Sequence, residues 1–270
     1  MLIRIGYDIA LRLLAPTPVI FVLRLHPSRK ADLVEGEDFR VEPNLPVEDY
    51  FDGFQNHCGR VNASSGVVRF QNNGIIRDCG EPDLVEPDVE QSEISDLPIS
   101  TLTFLLPSRY CEVDSELLNF AWSTFQKTAP GWARVQAICD FVHSHLRFDY
   151  LQARSNRRAL EAFRERVGVC RDFTHLAITL CRCLNIPARY VTGYLGDIGV
   201  PPDPSPMDFS AWFEVFLGRR WYTFDARHNR RRTGRVVIGR GRDAGDVPIT
   251  MVFGQHVLEH FEVTTEEVEA

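Results

Sequence analysis

One cysteine in the segment GVCRDFTHLAITLCRCL, residues 168–184, occupies a position where a thiol could react. Cys170 directly precedes a run whose apolar spacing predicts a long helix. In the first turn of a helix, unsatisfied backbone N–H groups and the positive end of the helix dipole both stabilise a thiolate, which is the nucleophilic form. Because Arg171 and Asp172 make the local charge mixed, two interpretations stay open: a reactive nucleophile, or a small apolar side chain in the core.

The other cysteines of the chain do not indicate a metal site or a disulfide framework. The spacing of the seven cysteines is scattered and shows no repeated CxxC pair, so a zinc ribbon is not indicated. A disulfide framework is unusual for a chain of this size, and free thiols in a reducing compartment fit better. Cys181 and Cys183 lie deep in the same predicted helix as Cys170 and are expected in the core.

A nucleophilic cysteine needs a general base, and the base needs an orienting group. His175 follows Cys170 by five residues. At about 100° per residue it points roughly 140° away from the thiol, so we expect it to pack or to cap. His143 and His145, on the preceding predicted helix, are expected to be surface or hydrogen-bonded histidines.

Residues 1–110 predict a strand-rich region. Short apolar runs alternate with turn signals there. Ser-Ser-Gly at 64–66 predicts a hairpin, Asn-Asn-Gly at 72–74 predicts a further turn, and STLTFLLPSRY at 100–110 predicts a strand that stops at Pro107. We therefore expect a small all-β sandwich or barrel domain.

The pattern changes near residue 110, which predicts two domains, 1–110 and 111–270. Before this boundary, the acidic, proline-bearing segment 81–98 is expected to be an extended surface loop. After it, β-rich runs follow four segments with helical spacing, and Gly168 is the expected stop of the third helix. Helices followed by an antiparallel sheet indicate an α+β core. The predicted helices are 115–126, 132–148, 158–168 and 170–186, and the predicted strands are IPARYVTGYL, AWFEVFLG and RWYTFDA.

Composition narrows the class of partner. The chain has 270 residues, 44% hydrophobic and 25% charged, which is typical of a globular protein. A net charge of −7 argues against nucleic acid or an anionic membrane as the main partner. The basic run at 227–235 is interpreted as a solvated loop. No apolar stretch has the length of a membrane span or the form of a signal peptide, so a cytoplasmic location is predicted.

Two stretches together carry a family resemblance: GVCRDFTHLAITLCRCLNIPARYVTGYL, which contains the cysteine, and DFSAWFEVFLGRRWYTFDARHN. They resemble the core of the transglutaminase-like superfamily, in its bacterial cysteine peptidase branch. In that family a cysteine opens the core helix, a histidine begins the next strand in a pattern like H-A-W-x-E, and an aspartate ends the following strand. The β-rich region leading into LLPSRYCEVD also resembles this branch, so the likeness spans most of the chain and implies a papain-like α+β core.

The resemblance assigns site residues one by one. Cys170 matches the nucleophile, and Asp225 matches the acidic third member of the triad. The slot of the base histidine holds Ser210, whose hydroxyl does not titrate near neutral pH. Three alternatives follow: His228 acts as the base, another histidine does, or the site no longer catalyses. Trp212 and Ser210 are candidates for the substrate groove, with a core position as the alternative for Trp212.

The predicted function is thiol-dependent amide hydrolysis or acyl transfer on a peptide or protein substrate, through a thioester on Cys170. Hydrolysis is favoured over cross-linking because water needs no second binding site. No metal or organic cofactor is expected. The alternative is a catalytically impaired fold that binds peptides in the same cleft.

Overall fold

The structure, a computed structural model, describes residues 1–204 and 206–268. It is rich in antiparallel strands, with five α-helices confined to residues 99–183 of this described part. No helix among the described residues is long and apolar enough to cross a membrane. The strands are β1 (Leu2–Leu13), β2 (Thr17–Phe21), β3 (Leu33–Glu35), β4 (Arg40–Glu42), β5 (Glu48–Phe51), β6 (His57–Ala63), β7 (Gly66–Arg77), β8 (Arg147–Phe148), β9 (Val167–Gly168), β10 (Ala188–Tyr194), β11 (Ser210–Leu217), β12 (Arg220–Phe224), β13 (Val236–Gly241), β14 (Thr250–Val252) and β15 (His256–Val268). The helices are α1 (Ile99–Leu102), α2 (Glu116–Phe125), α3 (Trp132–His145), α4 (Ala159–Glu165) and α5 (Cys170–Cys183).

The N-terminal region forms two antiparallel sheets around a shared apolar core. One sheet has the order β15-β1-β7-β3, with β4 also paired to β7, and the other has the order β14-β2-β6-β5. Alternate residues of β1, such as Ile3, Ile5 and Ile9, are buried between the sheets with Phe21 and Phe70. The predicted strand-rich region is confirmed.

Several local predictions in this region are wrong. Residues 64–65 join β6 to β7, which lie in different sheets, so they do not close a hairpin. Residues 72–74 lie inside β7, where pairing with β1 satisfies the backbone and overrides the turn preference of Asn-Asn-Gly. The segment 100–110 holds most of α1 and a 3-10 turn instead of a strand. Thr101 starts that helix by donating its hydroxyl to the Pro98 carbonyl at 2.8 Å.

The C-terminal strands complete the N-terminal sheets. β15 pairs with β1 along its whole length, from Leu2 opposite Val268 to Leu13 opposite His256. β14 pairs with β2. The partners of both strands therefore lie in the first 21 residues rather than in the core to which 111–270 was assigned.

The core consists of helices packed on a four-stranded antiparallel sheet of order β12-β11-β10-β13. Helix α5 lies at its centre, contacts β10 and β11, and is surrounded by α2, α3 and α4. Alternate residues of β11, including Phe213 and Val215, face the helices and share their apolar core. This is the predicted α+β arrangement.

Helix ends explain how the chain enters α5. α4 ends at Glu165, because Arg166 adopts a left-handed conformation with φ 56°. The expected stop at Gly168 is therefore two residues too late. Gly168 instead lies in β9, where a Cβ would come within 2.6 Å of the Asp172 side chain. The close approach of Asp172 to the backbone before α5 requires a glycine at this position.

The acidic segment 81–98 is an extended surface loop, as predicted, with one 3-10 turn near its end. It follows the surface of the core and is attached to it at several points. The Val89 carbonyl accepts the Trp132 N–H at 3.0 Å, and Gln91 donates to the Leu184 carbonyl at 2.9 Å. This loop becomes one wall of a cavity described below.

Candidate active site

Cys170 is the first residue of α5 and is half-buried. The start of the helix is fixed by Asp172, whose carboxylate accepts the Val169 N–H at 2.9 Å. Asp172 is in turn paired with the buried Arg157 at 2.9 Å. Asp172 therefore fixes the backbone just before Cys170 and caps its own helix.

The surroundings of Cys170 favour the thiol over the thiolate. Burial raises the pKa of Cys170 to about 11, and the nearby Asp208 carboxylate acts in the same direction. The Arg227 guanidinium and the backbone N–H groups of Ala211 and Arg171 lower this pKa without outweighing burial. The stabilisation expected from the helix N-terminus is thus insufficient, and the resting cysteine is protonated at neutral pH.

Asp208 lies just before β11 and is half-buried. Burial raises the pKa of Asp208 to about 6, and neither the Phe209 N–H nor the Arg227 guanidinium reverses that effect. The carboxyl therefore changes charge near neutral pH, beside the thiol whose pKa it raises. Its effect on Cys170 is not evident from the sequence, because no motif marks it.

Asp225 lies at the end of β12 and is buried. One carboxylate oxygen accepts the N–H groups of Arg227 and His228, each at 3.0 Å. The other accepts His228 Nδ1 at 2.8 Å and Arg235 Nη2 at 3.0 Å. Burial acts to raise the pKa of Asp225, but the Arg235 guanidinium and His228 outweigh it and hold this pKa well below its usual range. Asp225 is therefore an ionised carboxylate with four donors.

This carboxylate sets the tautomer of His228. Because ionised Asp225 can only accept, the His228 nitrogen that faces it, Nδ1, carries a proton. In the neutral ring Nε2 then keeps its lone pair and can take up a proton. The sequence analysis named Asp225 as the orienting acid and His228 as one candidate for the base; in the structure a hydrogen bond joins the two.

His228 and Ser210 line one small cavity of about 70 Å³. Asp208, Arg227 and Tyr150 line it as well, and the charges of Asp208 and Arg227 act on the Cys170 thiol. Within residues 1–204 and 206–268, the hydrogen bonds of His228 do not include Cys170. The structure therefore gathers the candidate base and the thiol around the same charged groups without a direct bond between them.

Trp212 is 1% exposed and packs with Val191 and Val237. The Arg235 guanidinium lies 4.9 Å from its ring centre. The prediction that Trp212 lines a substrate groove is wrong for direct contact, because the residue has almost no accessible surface. It supports Arg235, and Ser210, 7% exposed on the cavity wall, is the better placed of the two candidates.

The basic run 227–235 is not simply a solvated loop. Arg232 and Arg235 are buried, and Arg235 bridges Asp225 to Asp83 of the acidic loop, with both Asp83 oxygens 3.0 Å from its Nε. Sequence reasoning missed this bridge because Asp83 lies about 150 residues away and no local spacing connects them. The one sequence signal for this bridge is the position of Arg235 directly before the strand β13, where a buried charged side chain would need a partner.

The remaining histidines of the core have structural roles. His175 is fully buried, its ring stacks on Tyr110, and its Nε2 accepts the Ala244 N–H at 3.1 Å. Burial holds the pKa of His175 well below its usual range. His143 and His145 contact backbone carbonyls at 2.8 and 2.7 Å. The expectation that these three are packing or hydrogen-bonded residues agrees with the contacts.

Cys181 and Cys183 lie in the core as predicted, and burial raises the pKa of both, that of Cys183 to about 12. No group of histidine, cysteine and acidic side chains suited to a metal ion occurs in the part of the chain that the structure describes.

Comparisons with known proteins place this geometry in a family. Residues 120–226 match the core model of the transglutaminase-like superfamily. This interval contains Cys170, Ser210 and Asp225 and stops two residues before His228. The fold and the site therefore agree with a transglutaminase-like core domain in this interval.

A solved structure from Cytophaga hutchinsonii, described as a "putative cysteine protease", is 29% identical to this chain. The match has a TM-score of 0.86 and covers 100% of this chain and 91% of the other. This likeness and the family match support a fold of the kind used by thiol enzymes.

Two curated relatives are uncharacterized mycobacterial proteins. The Mycobacterium leprae protein is 28% identical over 169 residues, which cover 60% of this chain and 59% of its own length. The Mycobacterium tuberculosis protein is 36% identical over 98 residues, covering 33% of this chain and 31% of its own length. The chain thus spans about three fifths or less of these relatives.

Proposed function

We propose that this protein is a thiol hydrolase that cleaves an amide bond in a peptide or protein substrate through a thioester on Cys170. The observation that carries the proposal is the hydrogen bond between His228 Nδ1 and the buried Asp225 carboxylate, 2.8 Å long. His228 lines a cavity together with Asp208 and Arg227, whose charges also act on Cys170. Asp225 orients the ring of His228, and His228 is the general base. Ser210 lies where the family has its histidine, so His228 replaces that residue from the following loop.

The proton of Cys170 leaves during the attack rather than before it. Because the resting thiol is protonated, His228 Nε2 takes the proton as the sulfur forms a bond with the carbonyl carbon. The C–N bond then breaks, and the amine leaves with the proton from His228. Water adds to the thioester with His228 again as base, the C–S bond breaks, and the acid product and the free thiol result.

The negative oxygen of the tetrahedral intermediates needs donors. The Cys170 N–H belongs to the first turn of α5, whose amide groups have no partner within the helix. It is the donor we assign to this oxygen. Hydrolysis is proposed rather than amine transfer, since water needs no further binding site.

A second candidate function is a peptide-binding module without catalysis. Two observations favour it: Ser210 occupies the slot of the family's base, and the pKa of Cys170 is raised to about 11. The binding cleft would be the cavity lined by Ser210, Asp208 and Arg227.

Acyl transfer to Cys170 from p-nitrophenyl acetate distinguishes the two. Peptide mass spectrometry would follow the acetyl thioester on Cys170, with exposed Cys79 as an ordinary thiol in the same molecule. If the protein is an enzyme, Cys170 should be acetylated faster than Cys79. The substitution His228→Ala should lower the rate of Cys170 acetylation by about 10²–10⁴-fold, the usual contribution of a general base. His260→Ala, an exposed histidine on β15, is the matched control and should change neither rate.

The outcomes separate clearly. If Cys170 reacts no faster than Cys79 in the parent protein, the binding module becomes the better description. If Cys170 reacts fast and His228→Ala leaves the rate unchanged, another group is the base.

We also propose a cytoplasmic location. It is supported by the seven cysteines, which are all free thiols in the structure, as is usual in a reducing compartment.

A further inference from the structure

A second cavity, of about 210 Å³, adjoins Asp225. Its inner wall contains Trp132 and Phe224, whose ring centres are 4.5 Å apart. Its outer wall is formed by Leu84 and Val85 of the acidic loop, which are 45% and 39% exposed. The space is several times larger than a single water requires and smaller than the roughly 300 Å³ at which drug-sized sites begin. It therefore suits a short ligand with an apolar body.

The outer wall is held in place on both sides of Leu84 and Val85. Before them, the Asp83 carboxylate accepts the Arg232 N–H at 3.0 Å and the Arg235 guanidinium at 3.0 Å. After them, Glu86 accepts the Tyr222 hydroxyl. Because these contacts fix the loop against the core, the cavity is formed before any ligand arrives.

The cavity carries uncompensated positive charge at its mouth. Asp83 and Asp225 share the single positive charge of Arg235. Arg230 and Arg231 also line the cavity and bring the balance to three guanidinium groups against two carboxylates, a net charge of about +1. Arg231 is exposed, and its guanidinium donates to the backbone carbonyls of Asp83 and Pro82, which are neutral acceptors. Arg230 is exposed and forms no ion pair with any other described residue.

We infer that this cavity binds a short, unbranched carboxylate. The Arg230 guanidinium takes the carboxylate at the mouth, and the hydrocarbon chain lies on the rings of Trp132 and Phe224 beneath Leu84 and Val85. Burying the chain supplies the hydrophobic term, and the charge-assisted hydrogen bond supplies the preference for an anion. Binding here does not depend on Cys170 being reactive, so this inference and the proposed hydrolase can fail separately.

Calorimetric titration with sodium octanoate tests the inference on the full-length protein, with octan-1-ol as the uncharged probe of equal chain length. Octanoate should bind saturably at one site per chain, and octan-1-ol about tenfold more weakly or worse, because it lacks the charge that Arg230 recognises. Arg230→Ala should weaken the affinity for octanoate about tenfold and leave the affinity for octan-1-ol unchanged. Arg219→Ala, an exposed arginine in the turn before β12, should bind octanoate like the parent.

A variant that blocks the mouth of the cavity tests the location of the binding site independently of Arg230. Val85→Trp fills the mouth from a loop that is already exposed, so it should fold normally and lose octanoate binding. The inference is overturned if octanoate does not saturate, if octan-1-ol binds as tightly as octanoate, or if Arg230→Ala and Arg219→Ala behave alike.

Discussion

Asp208 and Asp225 are two aspartates at the same site with opposite electrostatics. Asp225 is the more buried of the two, and yet its pKa is held well below its usual range because Arg235 and His228 bind its charged form. Asp208 has weaker support from Arg227, and burial raises its pKa to about 6. Burial alone favours the neutral carboxyl, and a buried guanidinium reverses that preference.

The difference separates the two halves of the candidate site. The half that holds the base is complete, with an ionised Asp225 that fixes the His228 ring at 2.8 Å. The half that holds the candidate nucleophile lacks such support, because the negative charge of Asp208 raises the pKa of Cys170 and so disfavours the thiolate. Substitutions at Arg235, Ser210 and Asp208 test this difference between the two halves of the candidate site.

The largest effect is expected for Arg235→Met, which removes the guanidinium shared by Asp83 and Asp225. Both ends of the Arg235–Asp225 pair are nearly inaccessible, with side chains 7% and 3% exposed. Leaving a buried carboxylate without its partner costs about 3–5 kcal/mol of the free energy of unfolding. Urea denaturation at pH 7 measures this loss, and Arg219→Met, at an exposed turn, is the control. A loss below about 1 kcal/mol, typical of a surface change, would contradict the role given to Arg235.

The same pair has a defined pH dependence. The folded pKa of Asp225 lies below that of an unfolded aspartate, about 3.9, so its stabilisation is complete above that pH. It is lost as the pH falls through the folded pKa. In Arg235→Met the buried Asp225 lacks its partner, so it takes up a proton at a higher pH than in the parent. Urea denaturation between pH 7 and pH 3 should therefore show the parent's advantage over Arg235→Met shrinking as the pH falls. An advantage that stays constant with pH would mean that the lost stability came from packing on Trp212.

The next effect is expected for Ser210→His, which adds an imidazole to the wall of the cavity that His228 also lines. Ser210 lies on the cavity wall, so an imidazole there can enter open space. Acylation of Cys170 by p-nitrophenyl acetate should rise by about 10²-fold, the lower range for a general base. Ser210→Ala, which removes the hydroxyl without adding a base, should leave the rate near that of the parent. If the histidine variant folds and its rate does not rise, the slot does not reach Cys170 in this chain.

The smallest effect is expected for Asp208→Asn. Removing a nearby negative charge lowers the pKa of Cys170, and one unit corresponds to about tenfold more thiolate at a pH below both values. Iodoacetamide labelling at pH 8, followed by peptide mass spectrometry with Cys79 as the internal reference, should show a rise of up to about tenfold. An inflection in Cys170 labelling near pH 6 in the parent should disappear in the variant. Equal labelling of Cys170 in the two proteins would show that Asp208 does not act on the thiol.

Local patterns predicted the helical core well, and they failed where distant pairing decides. The spacing of apolar residues located α2, α3 and α5 because each helix buries one face along its own sequence. Residues 64–66 resemble a hairpin turn, yet β6 and β7 pair with strands from other parts of the chain. Nothing within ten residues of that turn encodes which sheet each strand joins.

The candidate site likewise has features that follow from local sequence and features that depend on distant residues. The position of Cys170 at the start of a helix follows from local pattern, and His228 is the third residue after Asp225, so their pairing is local too. The bridge from Arg235 to Asp83 is not local, and it determines the charge state of Asp225. The sequence left Trp212 between the core and the substrate groove; its neighbours on β10 and β13, which are distant in sequence, give it a core position.

The pairing of β15 with β1 has a consequence for synthesis of the chain. Leu2 lies opposite Val268, so β1 is synthesised long before β15, the strand that pairs with it. During translation the edge of β1 that later receives β15 stays open while more than two hundred residues are added, and an open strand edge is prone to join other chains. The helical core, whose contacts are nearer in sequence, can form on the ribosome before this edge closes, and ribosome-bound chains ending before residue 256 should be the form most in need of a chaperone.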